Sequence, residues 1–220
     1  MTKPTVNSFF SLNDYAHASL FEEDGYPWDG LLHLSNYLDT QKLGEIEVEI
    51  PNSVHLVNPE LITIRKGSIV EPGAYIEGPC IIGPDCTIRF GAYIRGYVVT
   101  GKKCVIGHDT EIKNSILLNN VCAAHFNYVG DCILGNNVNL GAGVKCANLR
   151  LDHLTVSVFF NGQKIVTQLK KLGAIIGDGA QLGCNAVTNP GTLMGKNSFC
   201  YPCLSIGGHI QENAVIRPKE

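Results

Sequence analysis

The stretch "IRKGSIVEPGAYIEGPCIIGPDCTIRFGAYIRGYVV" (residues 64–99) counts in sixes. Hexapeptides open at Ile64, Val70, Ile76, Ile82, Ile88 and Ile94, and the frame extends through Thr100, Ile106, Ile112 and Leu118. Their fifth places, from Ser68, Ala74, Cys80 and Cys86 to Thr110, Ile116 and Cys122, hold small or β-branched residues. An α-helix repeats at about 3.6 residues and a lone strand at about two. A period of six, with Gly, Pro and Asn between apolar anchors, therefore predicts short strands joined by tight turns. Three hexads close one triangular coil, and successive coils stack about 4.8 Å apart. Residues one coil apart then lie above one another, which predicts an interior ladder of Cys86, Cys104 and Cys122 with thiols as core filler.

The frame returns with an offset at Leu134, Leu140 and Cys146, and again from Ile176 to Ile206. The joint between the first two blocks, 124–133, contains His125 and Tyr128. The second gap, 152–175, alternates through Thr155, Val156, Ser157 and Val158 around a central Asn161-Gly162, the pattern of a hairpin ejected from the coil. Residues 1–44 lack the repeat. "SLND" (11–14), with Leu12, Tyr15, Ala16 and Leu20, predicts one helix, and Trp28, Leu31, Leu32 and Leu38 a second. This segment is expected to cap the open end of the coil stack. Residues 45–220 then form the coil domain, with "EIEVEIP" (45–51) beginning its first turn.

A 220-residue chain with 45 % hydrophobic residues and net charge −3 predicts one main domain and argues against a nucleic-acid partner, which usually demands a basic excess. No apolar run approaches the roughly 18 residues of a membrane helix, and the first 20 residues carry no secretory pattern. The expected location is the cytoplasm, with no membrane partner. The nine cysteines are then expected as thiols. Cys200 and Cys203 form a lone C-x-x-C without the second pair a zinc site needs, so no metal is expected.

Arg95 and Lys113 occupy second positions one coil apart on an outer face. Stacked like charges require something negative nearby, either Glu77 one coil earlier or a phosphate of a ligand. His125 also faces outward, and neutral imidazole near pH 7 can accept a proton from an amine or hydroxyl. Asn127, Tyr128, Asn139 and Asn148 follow closely and suit a small hydroxylated ligand, while Lys170 and Lys171 return from the hairpin. A zinc hydratase on the same coil would need three converging histidines. His108 and His125 are nearly stacked, and no third is suitably placed.

"HFNYVGD" (125–131), "NVNLGAG" (137–143), "CANLR" (146–150) and "KKLGAIIGDGAQLGCNA" (170–186) carry a specific resemblance. Over about residues 55–217 the chain resembles the acetyltransferase half of the bifunctional sugar-1-phosphate acetyltransferase/nucleotidyltransferases, in particular their archaeal-type branch. The resemblance implies a left-handed parallel β-helix of hexapeptide repeats, assembled as a homotrimer with sites between subunits. It implies acetyl-CoA-dependent N-acetylation of an amino-sugar 1-phosphate, foremost glucosamine-1-phosphate, in the formation of UDP-N-acetylglucosamine. His125 would be the general base. Arg95, Lys113, Tyr128 and Lys171 would bind the sugar phosphate, Asn139 and Asn148 would position the sugar, and Ala142 and Cys184 fall where the family touches acetyl-CoA. Cys184 replaces a common Ser, and Tyr201-Pro202 replace small residues near the coenzyme groove. No glycine-rich nucleotidyltransferase segment precedes the coils, so coupling to UTP is expected from a separate nucleotidyltransferase. The other reading is a non-catalytic trimeric module that scaffolds or regulates such an enzyme.

Overall fold

The computed structural model describes residues 3–218. Three eight-stranded parallel sheets wrap one prism. Sheet I runs from Ile62–Ile64 to His209–Ile210, sheet II from Ile69–Val70 to Val215–Ile216, and sheet III from His55–Val57 to Ser205–Ile206. The chain visits III, I and II in turn and then climbs one coil. The result is a left-handed β-helix of hexapeptide type with short N-terminal helical elements. Ile64, Ile76, Ile82, Ile88 and Ile94 point inward and are fully buried in one axial core.

One edge of the prism behaves differently from the other two. From sheet I to II the inward residues are always six apart, as at Ile82 and Ile88 or Leu134 and Leu140, and the same holds from II to III. All irregularity lies on the edge between III and I. Two residues, Gly78-Pro79 and then Gly96-Tyr97, turn that corner in the regular coils. In the next two coils a single residue turns it, Asn114 and then Asp131, and both hold the left-handed conformation at φ 42° and 54°. The coils shorten accordingly: Cys80 pairs with Val98 at a spacing of 18 residues, but Ser115 with Val98 and Ile133 with Ile116 at 17.

The expected joint at 124–133 is thus replaced by two one-residue deletions at 114 and 131. The reason the frame misleads is local: Leu117 and Leu118 are both apolar and both buried, so the hexad count runs one step too far. Leu117 faces the axial core, while Leu118 faces outward. The cysteine ladder is corrected in the same way. Val105 pairs with Cys122, so Val121 occupies the core place beside Cys104, and Cys122 is only half-buried.

The same edge ejects the hairpin, Ser157–Phe160 against Gln163–Val166, turned by Asn161 and Gly162 at φ 49° and 79°. Paired positive φ values give the turn whose twist matches the strands. The hairpin folds over the outer face of sheet I. The N-terminal segment covers the rest of that face, correcting the expectation that it closes the stack's open end. Sheet I is apolar outward as well as inward, with Ile81, Val99, Ile116, Ile133, Ile175 and Leu193 buried against Phe9, Phe10, Leu20, Trp28, Leu34 and Leu38. The helix Asp29–Thr40 supplies an apolar stripe through Leu31, Leu34 and Leu38. Gly30 allows its close approach, since a Cβ there would meet Phe21 Cε1 at 2.8 Å.

The helix expected from "SLND" does not form; the segment holds a four-residue helix Val6–Phe9 and a 3-10 turn Ala18–Leu20. Instead of capping, Ser11 N–H donates to Asp178 Oδ2 (2.8 Å) and the Asp14 carbonyl accepts from Asn119 Nδ2 (2.8 Å). These bonds stitch the segment to the edge between sheets I and II. Of residues 45–51, Ile46 alone bridges to Ile64.

Candidate active site

The shortened corners stack Asn114, Asp131 and Asn148 on one edge. Asp131 is 4 % exposed, and its carboxylate collects three donors. Lys113 Nζ and Asn114 Nδ2 reach it at 2.6 and 2.7 Å, and Asn148 Nδ2 gives the third bond. Asn148 Nδ2 also donates to Tyr128 Oη at 3.2 Å. The Tyr128 ring lies along its own strand over Gly130. A Cβ at Gly130 would stand 2.7 Å from both Tyr128 Oη and Asn148 Nδ2, so only glycine leaves room for this contact. Burial pushes the Tyr128 phenol above its ordinary pKa, with Lys113 and Asn148 pulling the other way. Its hydroxyl therefore stays protonated near neutral pH and serves as a donor.

Arg95 lies one coil before Lys113, as the register Glu77 to Arg95 and Ile94 to Ile112 requires. Its negative partner is Glu111, with Arg95 Nη1 2.7 Å from Glu111 Oε1, and not Glu77. Lys171 returns from the hairpin in an antiparallel bridge to Leu149, and Leu172 N–H donates to the Asn148 carbonyl at 2.9 Å. Lys171 thus re-enters beside Asn148 with an exposed side chain.

His125 stands on the other margin of sheet III, the regular edge with sheet II, directly in register with His108. Its backbone is held tightly: its N–H donates to Asn127 Oδ1 (3.3 Å), and its carbonyl accepts from Gly143 N–H (2.9 Å). Asn127 is buried and donates to the Gly141 carbonyl (2.8 Å), fixing the corner from within. The imidazole is exposed, with the Phe126 ring 6.4 Å away. Continuing the register of Ala123 with Leu140 and Leu140 with Leu182 puts Ala142 and then Cys184 in line with His125 in the next two coils. Cys184 is exposed, and Asn185 N–H donates to the Ala142 carbonyl at 2.8 Å. Asn139 is exposed on sheet II between Cys122 and Gln181.

One chain therefore joins Lys113 and Asn148 through Asp131, and Tyr128 through Asn148, with Arg95 and Lys171 flanking them. His125, Ala142 and Cys184 form a second column across sheet III, and Asn139 lies on sheet II. Asp131, Asn114, Glu111 and Gly130 complete the cluster around Lys113, Tyr128, Asn148 and Arg95. The signal that marks Asp131 is the place where the hexad frame loses a residue. The hairpin tip is remote: Asn161 lines a surface pocket with Phe9, Gly195 and His209, and the Phe160 and His209 rings are 4.3 Å apart.

Fold and site define a class, a hexapeptide-repeat β-helix with a polar cluster on one edge and a free histidine on the next. A domain family described as the GMPPB C-terminal domain matches residues 76–168. The bifunctional protein GlmU of Methanococcus maripaludis strain C7 is 37 % identical over 196 residues, 89 % of this chain and 47 % of that one. A bifunctional sugar-1-phosphate nucleotidylyltransferase/acetyltransferase of Sulfurisphaera tokodaii is 33 % identical over 81 % of this chain and 44 % of its own length. YaiX of Escherichia coli K12, named an uncharacterized acetyltransferase, is 32 % identical over 77 % of this chain and 74 % of that one. The chain belongs to the hexapeptide-repeat family of these GlmU-like proteins. It spans about half the length of the archaeal bifunctional relatives. Among the described residues no helix is long and apolar enough to cross a membrane.

Proposed function

We propose that the protein is an acetyl-CoA-dependent N-acetyltransferase acting on an amino-sugar 1-phosphate, foremost glucosamine-1-phosphate. The observation that carries this reading is the convergence of Lys113, Tyr128 and Asn148 in one cluster anchored on a buried carboxylate. A cation, a neutral phenol donor and an amide suit a phosphate and the hydroxyls of a sugar. Arg95 and Lys171 extend the positive charge above and below. His125, whose ring is exposed, suits the base role: it takes a proton as the amine attacks the thioester carbonyl, and the carbon–sulfur bond breaks to release coenzyme A, which leaves as the thiol. Ala142 and Cys184, in line beyond His125, are the proposed contacts for acetyl-CoA, and Asn139 a contact for the sugar.

The two columns flank sheet III of one chain, and each keeps exposed side chains, His125 and Cys184 on one and Arg95 and Lys171 beside the other. We assign the missing wall to a neighbouring copy in a homotrimer, placed against the exposed Phe90 and Phe126 on either side of His108. The test is incubation with acetyl-CoA and a panel of amino-sugar phosphates, with thiol release and product mass as readouts. A product heavier by one acetyl group, formed from a 1-phosphate and not from the free amino sugar, supports the reading. No thiol release from any member of the panel overturns it and favours the scaffold reading.

A further inference from the structure

The cluster contains one charged group that the proposed reaction does not use, the Asp131 carboxylate. It is buried, yet it draws bonds from the two coils that flank its own: Lys113 and Asn114 from the coil before, Asn148 from the coil after. Its main-chain carbonyl accepts from Gly173 N–H at 2.8 Å, where the chain rejoins the coil after the hairpin. We propose that Asp131 is a positioning residue that sets which way the site's hydrogen bonds point, an inference that rests on the acetyltransferase reading above.

A carboxylate only accepts, so Asn148 must present its NH2 to Asp131 and not its carbonyl. The second hydrogen of that NH2 goes to Tyr128 Oη. Because the phenol oxygen already accepts from Asn148, its own proton is left for an outside acceptor. Lys113 spends one of its three hydrogens on Asp131 and keeps the others. The carboxylate thereby offers a ligand two oriented donors, from Lys113 and Tyr128, and one acceptor, Asn148 Oδ1. That set matches a phosphate oxygen beside a sugar hydroxyl. The corner's length matters here: one residue at 114 and one at 131 stack the two side chains, which a two-residue turn like Gly96-Tyr97 would not do.

The test uses substitutions that tolerate φ 54° at this corner, so that the coil is kept. Asp131→Gly removes both acceptor oxygens. Asp131→Asn keeps one oxygen toward Lys113 and Asn148, with Asn114 free to turn its own amide to match. With the amino-sugar 1-phosphate as varied substrate, Asp131→Gly is expected to raise KM about tenfold or more with kcat within about threefold. Asp131→Asn is expected to stay within about threefold on both. A KM that falls in both variants would mean the carboxylate merely neutralises Lys113. An unchanged KM in Asp131→Gly would mean it merely supports the fold, and either result overturns the proposal. A second readout needs no activity: solvent exchange of the Asn148 side-chain amide protons, followed by NMR, is expected to quicken about tenfold in Asp131→Gly and to change little in Asp131→Asn. Equal exchange in wild type and Asp131→Gly would refute the positioning role even if the substrate class proved wrong, whereas an inactive wild type with the expected exchange pattern would refute only the acetyltransferase reading.

Discussion

Lys113 and His17 show how differently two polar side chains read at the scale of single residues. Lys113 is 16 % exposed in its side chain and contacts Asp131, so its ammonium is held in place before any ligand arrives. Under the proposed function its phosphate contact exists in both ground and transition states. Lys113→Ala should therefore raise KM for the sugar phosphate with a much smaller change in kcat, and steady-state kinetics check this. His17 lies within the N-terminal segment with Nδ1 2.7 Å from Tyr37 Oη, and burial lowers its pKa to about 4 from 6.5. The folded protein resists protonation that the unfolded chain accepts, so stability falls as pH drops from about 6.5 towards about 4. The loss is at most about 3 kcal/mol. Melting curves at pH 7 and pH 5 should converge less in wild type than in His17→Gln, which carries no such titration. The sequence made His125, Tyr128 and Asn148 legible as candidates because polar side chains on a repeat surface stand out. Asp131 was hidden, since an Asp at a turn is ordinary until its three donors are seen.

Elements were legible where inward and outward positions differ in chemistry. The six-residue period and the Asn161-Gly162 hairpin fall in that group. The slips at Asn114 and Asp131 do not, because Leu117-Leu118 and Val121-Cys122 offer two acceptable core residues in succession and the count has no local reason to shift. The N-terminal helix failed for a related reason: helical spacing of Leu12, Tyr15 and Leu20 arises here from residues laid against sheet I, with Ser11 bonded to Asp178 in place of a cap. The edge between sheets III and I is the element on which the site depends. Inserting one Gly after Lys113 restores the two-residue corner used at Gly96-Tyr97, so the β-helix should still fold, with circular dichroism unchanged. The Asn114–Asp131 contact should be lost, and KM for the sugar phosphate should rise about tenfold or more. Shortening the hairpin tip at Asn161-Gly162 should act on stability and not on KM, because Phe160 beside the tip meets the His209 ring, away from Lys113 and Asn148.

Across the whole molecule, three faces have three tasks. Sheet I is apolar on both sides and is sealed by the N-terminal segment and the hairpin, while among the described residues nothing comparable covers sheets II and III, which carry the two candidate columns. Leu34 is fully buried at the seal. Leu34→Ala should cost about 2–5 kcal/mol, read as a lower melting temperature, with kinetic constants unchanged below the transition. The sequence showed the apolar residues of this segment but not their destination, since the outward sheet I positions that receive them are spread over coils from Ile81 to Leu193. Under the proposed function His125, free at the regular edge, works as the base for a substrate held by the Asp131 cluster at the irregular one. The most direct test of this role is the rate of thiol release from acetyl-CoA with saturating glucosamine-1-phosphate, compared between wild type and a folded His125→Ala variant. A fall in kcat of about 10²–10⁴-fold is expected; turnover by the variant within a few-fold of wild type would exclude His125 as the base.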